Sequence, residues 1–430
     1  MLISVGRQYQ SMDEDKSARR VLDAAYRLSR PLRDPSTRSK ASCALASVLS
    51  RESGEHRSNA LIQEGLEELP ADPRFDLDRV FCLLRSSEVT RNQESARDAV
   101  GPILAAQQLL RKPGFSSELR ELHAYMDLAE SYRTMGRHRE ALSAFEQASA
   151  KLEALGRGDT QTAGTLFNNW GMSLLSLGRP LEAEKLFQRA IEISSGGNQE
   201  GVSPMLLINS AQALRDLSRL SEAARNAESG FARGKQAGDE VVVTQSLQLL
   251  ASIYCLQGDV KRADASISEV EKRLSKVLPA GHIAFASIAY QRALNAQARG
   301  NPEDALNLVA RAIEMTDALM KNGGQGSDFM PSLLVRQSEI ELQLHRTDAA
   351  AADGARAVEL VQKASEPGAL SSRLGRAHLV LGRALQAQGK HAEAHTAFQI
   401  TAENFEKALG AHHPDTIIAR QALVSIANNQ

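Results

Sequence analysis

The sequence has few aromatic residues, few prolines and almost no net charge. Its 430 residues include 11 Phe, 6 Tyr and 1 Trp, together 4% of the chain, and only 13 Pro. Strands of sandwiches and barrels are rich in aromatic and β-branched side chains, so an all-β fold is disfavoured. Because 51 basic side chains are balanced by 52 acidic ones, the chain has no long-range field to attract nucleic acid. We therefore expect no nucleic-acid partner.

Long hydrophobic runs and a cysteine pairing pattern are also missing. The longest uncharged stretches, residues 161–178 and 241–258, contain Asn, Gln, Ser or Thr, and neither predicts membrane insertion. The N-terminal residues lack the basic region and long apolar segment of a secretory signal. Cys43, Cys82 and Cys255 are far apart and form no recognisable pattern. A reducing, cytoplasmic location is the expectation that follows.

One sequence template recurs along the chain. The template occurs in residues 125–148, YMDLAESYRTMGRHREALSAFEQA, and in residues 167–190, FNNWGMSLLSLGRPLEAEKLFQRA. In both segments a glycine, the pattern Ala-x3-Phe-x2-Ala and further small residues stand at matching positions. The template alanine that opens the second helix is found at Ala18, Ala60, Ala96, Ala141, Ala183, Ala223, Ala263, Ala305, Ala350 and Ala394. The average step of about 42 residues predicts ten helical hairpins, each too thin to bury both faces without its neighbours.

These residues resemble the tetratricopeptide repeat (TPR) family, whose pattern runs W-x2-L-G-x2-Y, then G, then A-x3-F-x2-A. The 42-residue step, FNNWG at 167–171 and LGAHHPDT at 409–416 are similar to the kinesin-light-chain type. The resemblance is weak around Ala60 and Ala96, where Pro102 is expected to interrupt the second helix. It implies an all-α fold: a right-handed α-α superhelix, or TPR solenoid, of about ten helical hairpins plus a C-terminal capping helix.

The domain organisation follows from this template. We expect a single TPR solenoid over residues 1–430, with degenerate repeats at 1–120, regular repeats at 121–408 and a capping helix at 409–430. Ile417, Leu423 and Ile426 are predicted on the inner side of that last helix. Repeat residues begin at Leu2 without a polar cap, so we expect the N-terminal end to meet a covalent partner domain or to self-associate.

The sequence contains no catalytic signature. No glycine-rich phosphate loop or nucleophile elbow is present. His391 and His395 have a spacing that can bind a metal, but Ala392 stands where metalloproteases place Glu, and no third ligand is evident. His412 and His413 are expected in the turn that opens the final helix. We therefore predict no enzyme activity, no metal and no cofactor for these residues.

The TPR resemblance implies a ligand groove lined by the first helix of each hairpin. Groove positions carried over from the family are Asp127, Glu130, Arg133, Asn168, Asn169, Met172, Asn209, Gln212, Arg215, Gln248, Ser252, Gln291, Arg336, Glu339 and Arg383. Asn169 and Asn209 share one position in adjacent repeats, where kinesin-light-chain-like repeats use Asn to contact ligand backbone. The alternative is that groove positions are polar only because they are solvated. Their mixed charges depart from the basic clamp that some family members use for a C-terminal carboxylate.

The sequence leaves three alternative functions. The first is a non-catalytic scaffold that binds a protein or peptide ligand in the concave groove. The second is a sensory or substrate-recruiting regulatory region of a larger bacterial signalling protein, because residues 75–89 and 167–184 resemble repeat tails attached to bacterial Ser/Thr protein kinases. The third is an enzyme, which the sequence disfavours because HRE at 138–140 lacks the catalytic Asp and no DFG motif occurs.

Overall fold

The protein is described by a computed structural model that covers residues 1–11, 14–51, 57–93, 98–112, 117–196, 201–279, 281–321, 328–365 and 368–427. Within these ranges the regular elements are α-helices and one short 3-10 turn, Pro73–Phe75, and no strand occurs. The helices form antiparallel pairs in which an A helix is followed by a B helix. This confirms the predicted all-α solenoid of ten hairpins followed by a C-terminal helix.

The A helices are α1 (Leu2–Ser11), α3 (Pro35–Leu49), α5 (Asp76–Gln93), α7 (Glu118–Thr134), α9 (Gln161–Ser176), α11 (Pro204–Asp216), α13 (Glu240–Leu256), α15 (Ile283–Ala298), α17 (Met330–Gln343) and α19 (Ser372–Ala387). The B helices are α2 (Asp15–Ser29), α4 (Arg57–Glu67), α6 (Val100–Leu110), α8 (His138–Ala154), α10 (Pro180–Ser195), α12 (Leu220–Ala237), α14 (Val260–Leu274), α16 (Pro302–Lys321), α18 (Thr347–Ala364) and α20 (His391–Leu409). The last helix is α21 (Pro414–Ala427).

The chain divides into two compact units within α9. The first unit is Met1–Ser173 and the second is Leu174–Gln430. In each unit an A helix packs against its own B helix, and the B helix packs against the next A helix. The subdivision at residues 120 and 408 stays a prediction. No helix in the described part of the chain combines the length and apolar character needed to cross a bilayer.

Small buried residues and left-handed turns make the hairpins possible. Ala141 and Ala183 are fully buried at helix crossings, and Phe145 and Phe187 fill the space beside the next helix pair. Gly136 closes α7 with a φ of 71°, and its N–H donates to the carbonyl of Arg133 at 3.0 Å. This left-handed C-cap turns the chain into α8 within a few residues.

The predicted register is wrong in two of the first three hairpins. Ala60 is exposed, whereas Ser58, Ile62 and Gly65 on the same helix are buried with the spacing of the template. A Cβ added to Gly65 would lie 2.5 Å from Cys43 Sγ, which shows how closely α4 approaches α3. The true small residue of this hairpin is therefore Ser58, two positions before the predicted one.

The third hairpin shows a similar shift. Ala96 lies outside the described residues, and the buried template positions are Ala99, Ile103 and Ala106, all 0% exposed. Pro102 does not interrupt α6, because it lies in the first turn, where its missing N–H has no helical partner to lose. With Ser58 and Ala99 in place, the first three steps of the repeat become 40, 41 and 42 residues.

Two cysteines that the sequence left unpaired are joined. Cys43 of α3 and Cys82 of α5 form a disulfide, and Cys255 is free and half-buried. Their separation of 39 residues is close to one repeat, and they lie on the neighbouring A helices α3 and α5, which pack against each other. The disulfide corrects the expectation that no cysteines pair.

The C-terminal helix packs on α20 with a face that differs in part from the predicted one. Ile426 and Ala419 are fully buried, and Leu423 is half-buried against the same cluster. Ile417, which was predicted on the inner side, is 43% exposed. Thr416, Ala419 and Ile426 are all fully buried and share one face of α21, whereas Ile417 lies one position away from Thr416 and so points off that face.

Candidate functional site

The corrected register defines one polar face on the A helices. In each hairpin a small residue of the A helix lies twelve positions before the small residue of the B helix, as Ser87 does before Ala99. We call the A-helix positions two before, one after and four after this small residue the groove face. Residues of the first three hairpins that were not predicted also occupy it. They include Arg7, Gln10, Ser47, Arg85, Glu88 and Arg91.

Hydrogen bonds connect the groove face of the first three hairpins. Gln10 Nε2 of α1 donates to Ser47 Oγ of α3 at 3.1 Å, and Ser47 Oγ donates to Glu88 Oε2 of α5 at 2.7 Å. Arg85 Nη1 also donates to Glu88 Oε2 at 2.7 Å, and Arg51 Nη2 donates to Glu88 Oε1 at 3.3 Å. Burial raises the pKa of Glu88, but Arg85, the Ser47 hydroxyl and Arg51 outweigh burial and hold that pKa below its usual range.

The predicted site residues of α7 and α9 continue this network. Glu130 accepts hydrogen bonds from Arg133 Nε at 2.9 Å and Nη2 at 2.6 Å, and from Asn169 Nδ2 at 3.3 Å. Asn168 Nδ2 donates to Asn169 Oδ1 at 3.0 Å. The sequence analysis therefore named four residues of the first unit that contact one another. Met172 is half-buried on the same helix as the two asparagines.

Asp127 is the remaining predicted site residue of the first unit. Its Oδ2 is buried without a hydrogen-bond donor among the described residues, and Arg85 Nη2 lies 4.0 Å away. Burial raises the pKa of Asp127 to about 6, although Arg85 and Arg91 act in the opposite direction. This carboxyl is therefore more readily protonated near neutral pH than an exposed one.

In the second unit, arginines of the groove face are paired with neighbouring polar or acidic side chains. Arg215 donates to Asp216 Oδ1 from Nε at 2.9 Å and from Nη2 at 2.8 Å, and its Nη1 lies 3.3 Å from Ser252 Oγ. Arg336 Nη1 donates to Gln297 Oε1 at 2.9 Å and forms an ion pair with Glu339 at 2.7 Å. These side chains connect adjacent A helices while part of each remains accessible.

The other predicted residues of the second unit differ in accessibility. Asn209 and Gln291 are each only 6% exposed, and Gln291 Nε2 donates to Asn295 Oδ1 at 3.3 Å. Gln212 and Gln248 are half-buried, and Arg383 is exposed. Asn169 and Asn209 belong to different compact units, so the structure describes each within its own unit.

The two ends of the second unit touch each other. Ser372 N–H at the start of α19 donates to the carbonyl of Gly178, just before α10, at 2.8 Å. Ser218 Oγ, in the turn after α11, lies 3.0 Å from His413 Nε2, in the turn before α21. Because His413 Nδ1 accepts the N–H of Asp415 at 3.1 Å, the proton lies on Nε2 and is donated to Ser218. Turns near the start of the second unit thus contact turns near its end.

The paired histidines do not form a metal centre in the described part of the chain. His391 is exposed and His395 is half-buried on α20, and no group of three His, Cys, Asp or Glu side chains that could hold a metal occurs there. The template expects a packed aromatic ring at position 391, and the exposure of His391 departs from that expectation.

Family models match the chain in two places. Residues 126–198, which contain the second half of α7 and all of α8, α9 and α10, match a tetratricopeptide repeat model, and residues 379–415, which include α20, match a second one. The chain contains tetratricopeptide repeats. The TPR hairpins are the same helix pairs that the sequence template located. A search of curated protein sequences found no match.

Several solved structures share the fold of this chain. The chain is similar to the apo form of RapI, at 10% identity and a TM-score of 0.59, over 84% of this chain and 97% of that one. It is similar to a Rap protein complexed with Competence and Sporulation Factor, at 13% identity and a TM-score of 0.52, over 92% and 99%. Aspartyl phosphate phosphatase F from Bacillus subtilis matches at 13% identity and a TM-score of 0.53, over 84% and 93%. At these identities the likeness concerns the fold of the TPR array alone.

Several groove residues were not predicted from the sequence. Arg85, Glu88 and Arg91 of α5 stand at groove positions once Ala99 replaces Ala96 as the small residue of that hairpin. Arg7 of α1 occupies such a position with Ala18 as predicted. A signal was available in the sequence, because Ser58 and Ala99 give steps close to the repeat average.

Proposed function

We propose that the chain is a non-catalytic scaffold that binds a protein or peptide ligand along the groove face. The observation that carries this proposal is the row of polar side chains on consecutive A helices. Hydrogen bonds join Gln10, Ser47 and Glu88, others join Glu130 and Asn169, and Arg85 lies 4.0 Å from Asp127 between the two groups. Such side chains can satisfy the backbone groups of an extended ligand in place of water. The complex of a Rap protein with Competence and Sporulation Factor supports the proposal by analogy of fold.

The row is ordered before any ligand arrives. Asn169 is held by Glu130 on one side and by Asn168 on the other, at 3.3 and 3.0 Å. Because these side chains are already fixed by their neighbours, a ligand loses little affinity to ordering them. We infer that Asn169 presents its amide to the ligand backbone, and that Asn209 has the equivalent role in the second unit.

The test is affinity capture with matched variants. Tagged wild-type protein, Asn169→Ala, Asn169→Ala with Asn209→Ala, and the control Asn307→Ala are incubated with lysate of the source organism and analysed by quantitative mass spectrometry. Asn307 is exposed on α16, away from the groove face. We expect the asparagine variants to lose a protein that the wild type and the control retain, with unchanged helicity. Equal capture by all four proteins would contradict the groove as the binding site.

A second candidate function is a regulatory region of a larger bacterial signalling protein such as a Ser/Thr protein kinase, in which the same groove recruits substrates. It is favoured by the resemblance of residues 167–184 to the repeat tails of such kinases. The reading frame upstream of Met1 tests it directly. An in-frame kinase domain would support this candidate, and a stop codon would contradict it.

A cytoplasmic location also stays a proposal. Reducing conditions in most cytoplasms keep cysteines as thiols, whereas Cys43 and Cys82 are bonded in the structure. Alkylation of intact cells before lysis, followed by mass spectrometry, distinguishes free thiols at Cys43 and Cys82 from a disulfide between them. Modified Cys43 and Cys82 would support a reducing compartment, and an intact disulfide would contradict it.

A further inference from the structure

Two turns from distant parts of the second unit share a buried histidine. His413 lies in the turn between α20 and α21 and is only 6% exposed. Its Nε2 donates to Ser218 Oγ, in the turn between α11 and α12, at 3.0 Å, and its Nδ1 accepts the N–H of Asp415 at 3.1 Å. We call the pair of Ser218 and His413 the clasp, because it joins turns that are 195 residues apart in the chain.

Ser218 occupies a backbone position that glycine fills in most of the equivalent turns. Its φ of 59° lies in the left-handed region, which side chains other than glycine rarely adopt. From α7 onward, the turns between A and B helices have His345 at this position after α17 and otherwise glycine, namely Gly136, Gly178, Gly258, Gly300 and Gly389. Serine is therefore strained where glycine would be relaxed, and what it adds is the hydroxyl that contacts His413.

The two hydrogen bonds of His413 require a neutral imidazole. A neutral ring has one N–H to donate to Ser218 and one bare nitrogen to accept from Asp415. Protonation places a second hydrogen on Nδ1, which then points at the Asp415 N–H instead of accepting from it. This N–H is one of the first of α21, which have no acceptor within their own helix. Protonation therefore removes a cap from α21 and disfavours the ring position from which Nε2 reaches Ser218.

The charged groups nearest to His413 come from three helices. Asp415 Oδ2 of α21 lies 4.0 Å from Nδ1, and Asp216 at the end of α11 and Arg376 of α19 lie within electrostatic range. Burial lowers the pKa of His413, Asp415 acts in the opposite direction, Arg376 adds to the lowering, and Asp216 opposes it. Because the pKa is lowered on balance, the folded chain favours the neutral ring.

Other charged groups around the clasp are engaged with partners of their own. Asp216 accepts hydrogen bonds from Arg215 at 2.9 and 2.8 Å and lies within electrostatic range of the half-buried Arg373 of α19. Arg219, the first residue before α12, forms ion pairs with two glutamates at 2.7 Å each. Arg420 of α21 is paired with a glutamate of α20 at 2.8 Å. The negative charge of Asp216 is thus partly balanced, which limits its stabilisation of an imidazolium.

We propose that the clasp is an acid-sensitive switch, which holds the turn after α11 against the turn before α21 while His413 is neutral and opens when His413 is protonated. The inference goes beyond the proposed function, because it concerns the conformation of the second unit and not a ligand. A second contact, from the Ser372 N–H to the Gly178 carbonyl at 2.8 Å, also joins an early turn of the unit to a late one. Opening of the clasp removes one of the contacts that hold these turns together, so they separate more readily.

The lowered pKa of His413 fixes the direction of the pH dependence. The value in the closed, folded chain lies below the 6.5 of an exposed or unfolded histidine, so a released ring binds a proton more tightly than a clasped one. The contribution of the clasp is therefore fully present above pH 6.5 and is lost as the pH falls below it.

The experiment measures a distance across the clasp in the full chain. Spin labels are attached through Arg225→Cys, exposed on α12, and Gln421→Cys, exposed on α21. The free thiol is removed by Cys255→Ser, and no reductant is added. Double electron–electron resonance is recorded at pH 7.5 and pH 5.5, with circular dichroism at both values to monitor helicity.

A pair of histidine variants tests the titrating group. His413→Asn keeps an oxygen that accepts the Asp415 N–H at either pH but does not titrate. His412→Gln is the matched control, because it removes the exposed histidine next to the clasp. The labelled parent protein and His412→Gln should show a short distance at pH 7.5 and lose at least half of that population at pH 5.5. His413→Asn should give the same distribution at both values.

A pair of glycine variants tests the strained turn. Ser218→Gly relaxes the positive φ but removes the hydroxyl, so the distances should already be longer at pH 7.5. His345→Gly relaxes a φ of 58° at the equivalent position after α17, where the side chain is exposed, and should keep the parent distribution and its pH dependence.

Several outcomes would overturn the inference. The first is a parent distribution that does not change between the two pH values, and the second is a pH dependence that persists in His413→Asn. A short distance at pH 7.5 in Ser218→Gly would mean that the hydroxyl does not hold the two turns. A loss of helicity at pH 5.5 shared by the parent and His413→Asn would mean general acid unfolding instead of opening of the clasp.

Discussion

Two carboxyl groups of the second unit, Glu341 and Asp353, face each other at the crossing of α17 and α18. Glu341 is only 6% exposed, and Gln337 Nε2 donates to Asp353 Oδ2 at 2.6 Å. Burial, and then the charge of Asp353, raise the pKa of Glu341 to about 7. Burial also raises the pKa of Asp353. Burial of Glu341 and the nearby charge of Asp353 disfavour ionisation of both carboxyls at once, so the pair holds a proton above the usual pKa of a carboxyl.

Replacing Glu341 with Gln should therefore change the dependence of stability on pH. The folded pKa of about 7 lies above the unfolded value of 4.5, so the contribution of the protonated group is complete below pH 4.5 and is lost as pH rises to 7. Glu341→Gln removes this loss and should raise the free energy of unfolding at pH 8 by about 1 kcal/mol. Urea unfolding at pH 5 and pH 8 measures the difference.

Glu339→Gln is the matched control for that change. Glu339 lies on the same helix but forms an ion pair with Arg336 at 2.7 Å, so its replacement leaves the Glu341 and Asp353 pair intact. We expect the control to keep the wild-type decline in stability between pH 5 and pH 8. If Glu341→Gln declines as steeply as the control, Glu341 is not the titrating group.

Side-chain identity at the groove could be predicted, but side-chain accessibility could not. Glu130, Asn168 and Asn169 contact one another, since repeat positions fix which face of an A helix a residue occupies, and their role in ligand binding stays a prediction. The template could not show that Asn209 and Gln291 are nearly buried, since cover by the neighbouring hairpin depends on its own side chains. The raised pKa of Glu341 could not be predicted from the sequence for the same reason, because Asp353 lies on the following helix.

At the scale of helices, the small residue at each crossing sets the register. Ser58 of α4 is fully buried, and Ala60 two positions later is exposed. The small residue was predicted at Ala60, whereas a serine, which also lets helices approach closely, occupies the crossing. Gly6, Ser87 and Ala129 occupy equivalent A-helix positions with similarly small side chains. Size rather than residue type is what the packing demands.

A pair of leucine substitutions on α4 distinguishes the two registers. Ser58→Leu should overpack the crossing and lower the free energy of unfolding by about 1–3 kcal/mol. Ala60→Leu, on the exposed side of the same helix, should change stability by less than about 0.5 kcal/mol. Chemical denaturation of both variants provides the comparison. A larger loss for Ala60→Leu than for Ser58→Leu would restore the register predicted from the alanine pattern.

The disulfide between α3 and α5 joins two A helices of the first unit. A sequence template contains no information about pairing, but residues one repeat apart lie side by side, and Cys43 and Cys82 are 39 residues apart. Cys82→Ser should lower the free energy of unfolding by about 2–4 kcal/mol under oxidising conditions, mainly because the unfolded chain gains freedom.

Cys255→Ser serves as the control for this disulfide variant. Cys255 is a free, half-buried thiol on α13, so its replacement should leave stability almost unchanged. Thermal unfolding without reductant measures both variants, and alkylation of the denatured wild type counts its free thiols. Three alkylated cysteines in the wild type would contradict the bond, and one would support it.

At the scale of the whole molecule, the repeat template predicts contacts between neighbouring hairpins but none between hairpins far apart in the chain. It gave ten hairpins and a final helix because each hairpin carries the same local pattern. It could not predict that the turn at Gly178 meets Ser372, nor that Ser218 meets His413, since these contacts join hairpins far apart in the chain. Such contacts arise from the summed rotation of successive hairpins in the second unit, to which every loop contributes.

Glycine substitutions in two equivalent turns distinguish the effect of losing the contact between the ends of the second unit from the effect of straining a turn. Gly178 and Gly258 both adopt positive φ, 72° and 81°, so alanine at either position costs about 1 kcal/mol in backbone strain. A Cβ at Gly258 meets open space, whereas one at Gly178 lies 3.0 Å from Arg373 Cγ and 3.1 Å from Arg373 N. Only Gly178→Ala should therefore also displace the start of α19.

Hydrogen exchange can detect this displacement. The Ser372 N–H donates to the Gly178 carbonyl at 2.8 Å, so its exchange should accelerate in Gly178→Ala and remain slow in Gly258→Ala. The melting temperature should also fall further for Gly178→Ala, since this variant loses the long-range contact in addition to the strained turn. Equal exchange at Ser372 in both variants would mean that the first and last hairpins of the second unit do not hold each other in solution.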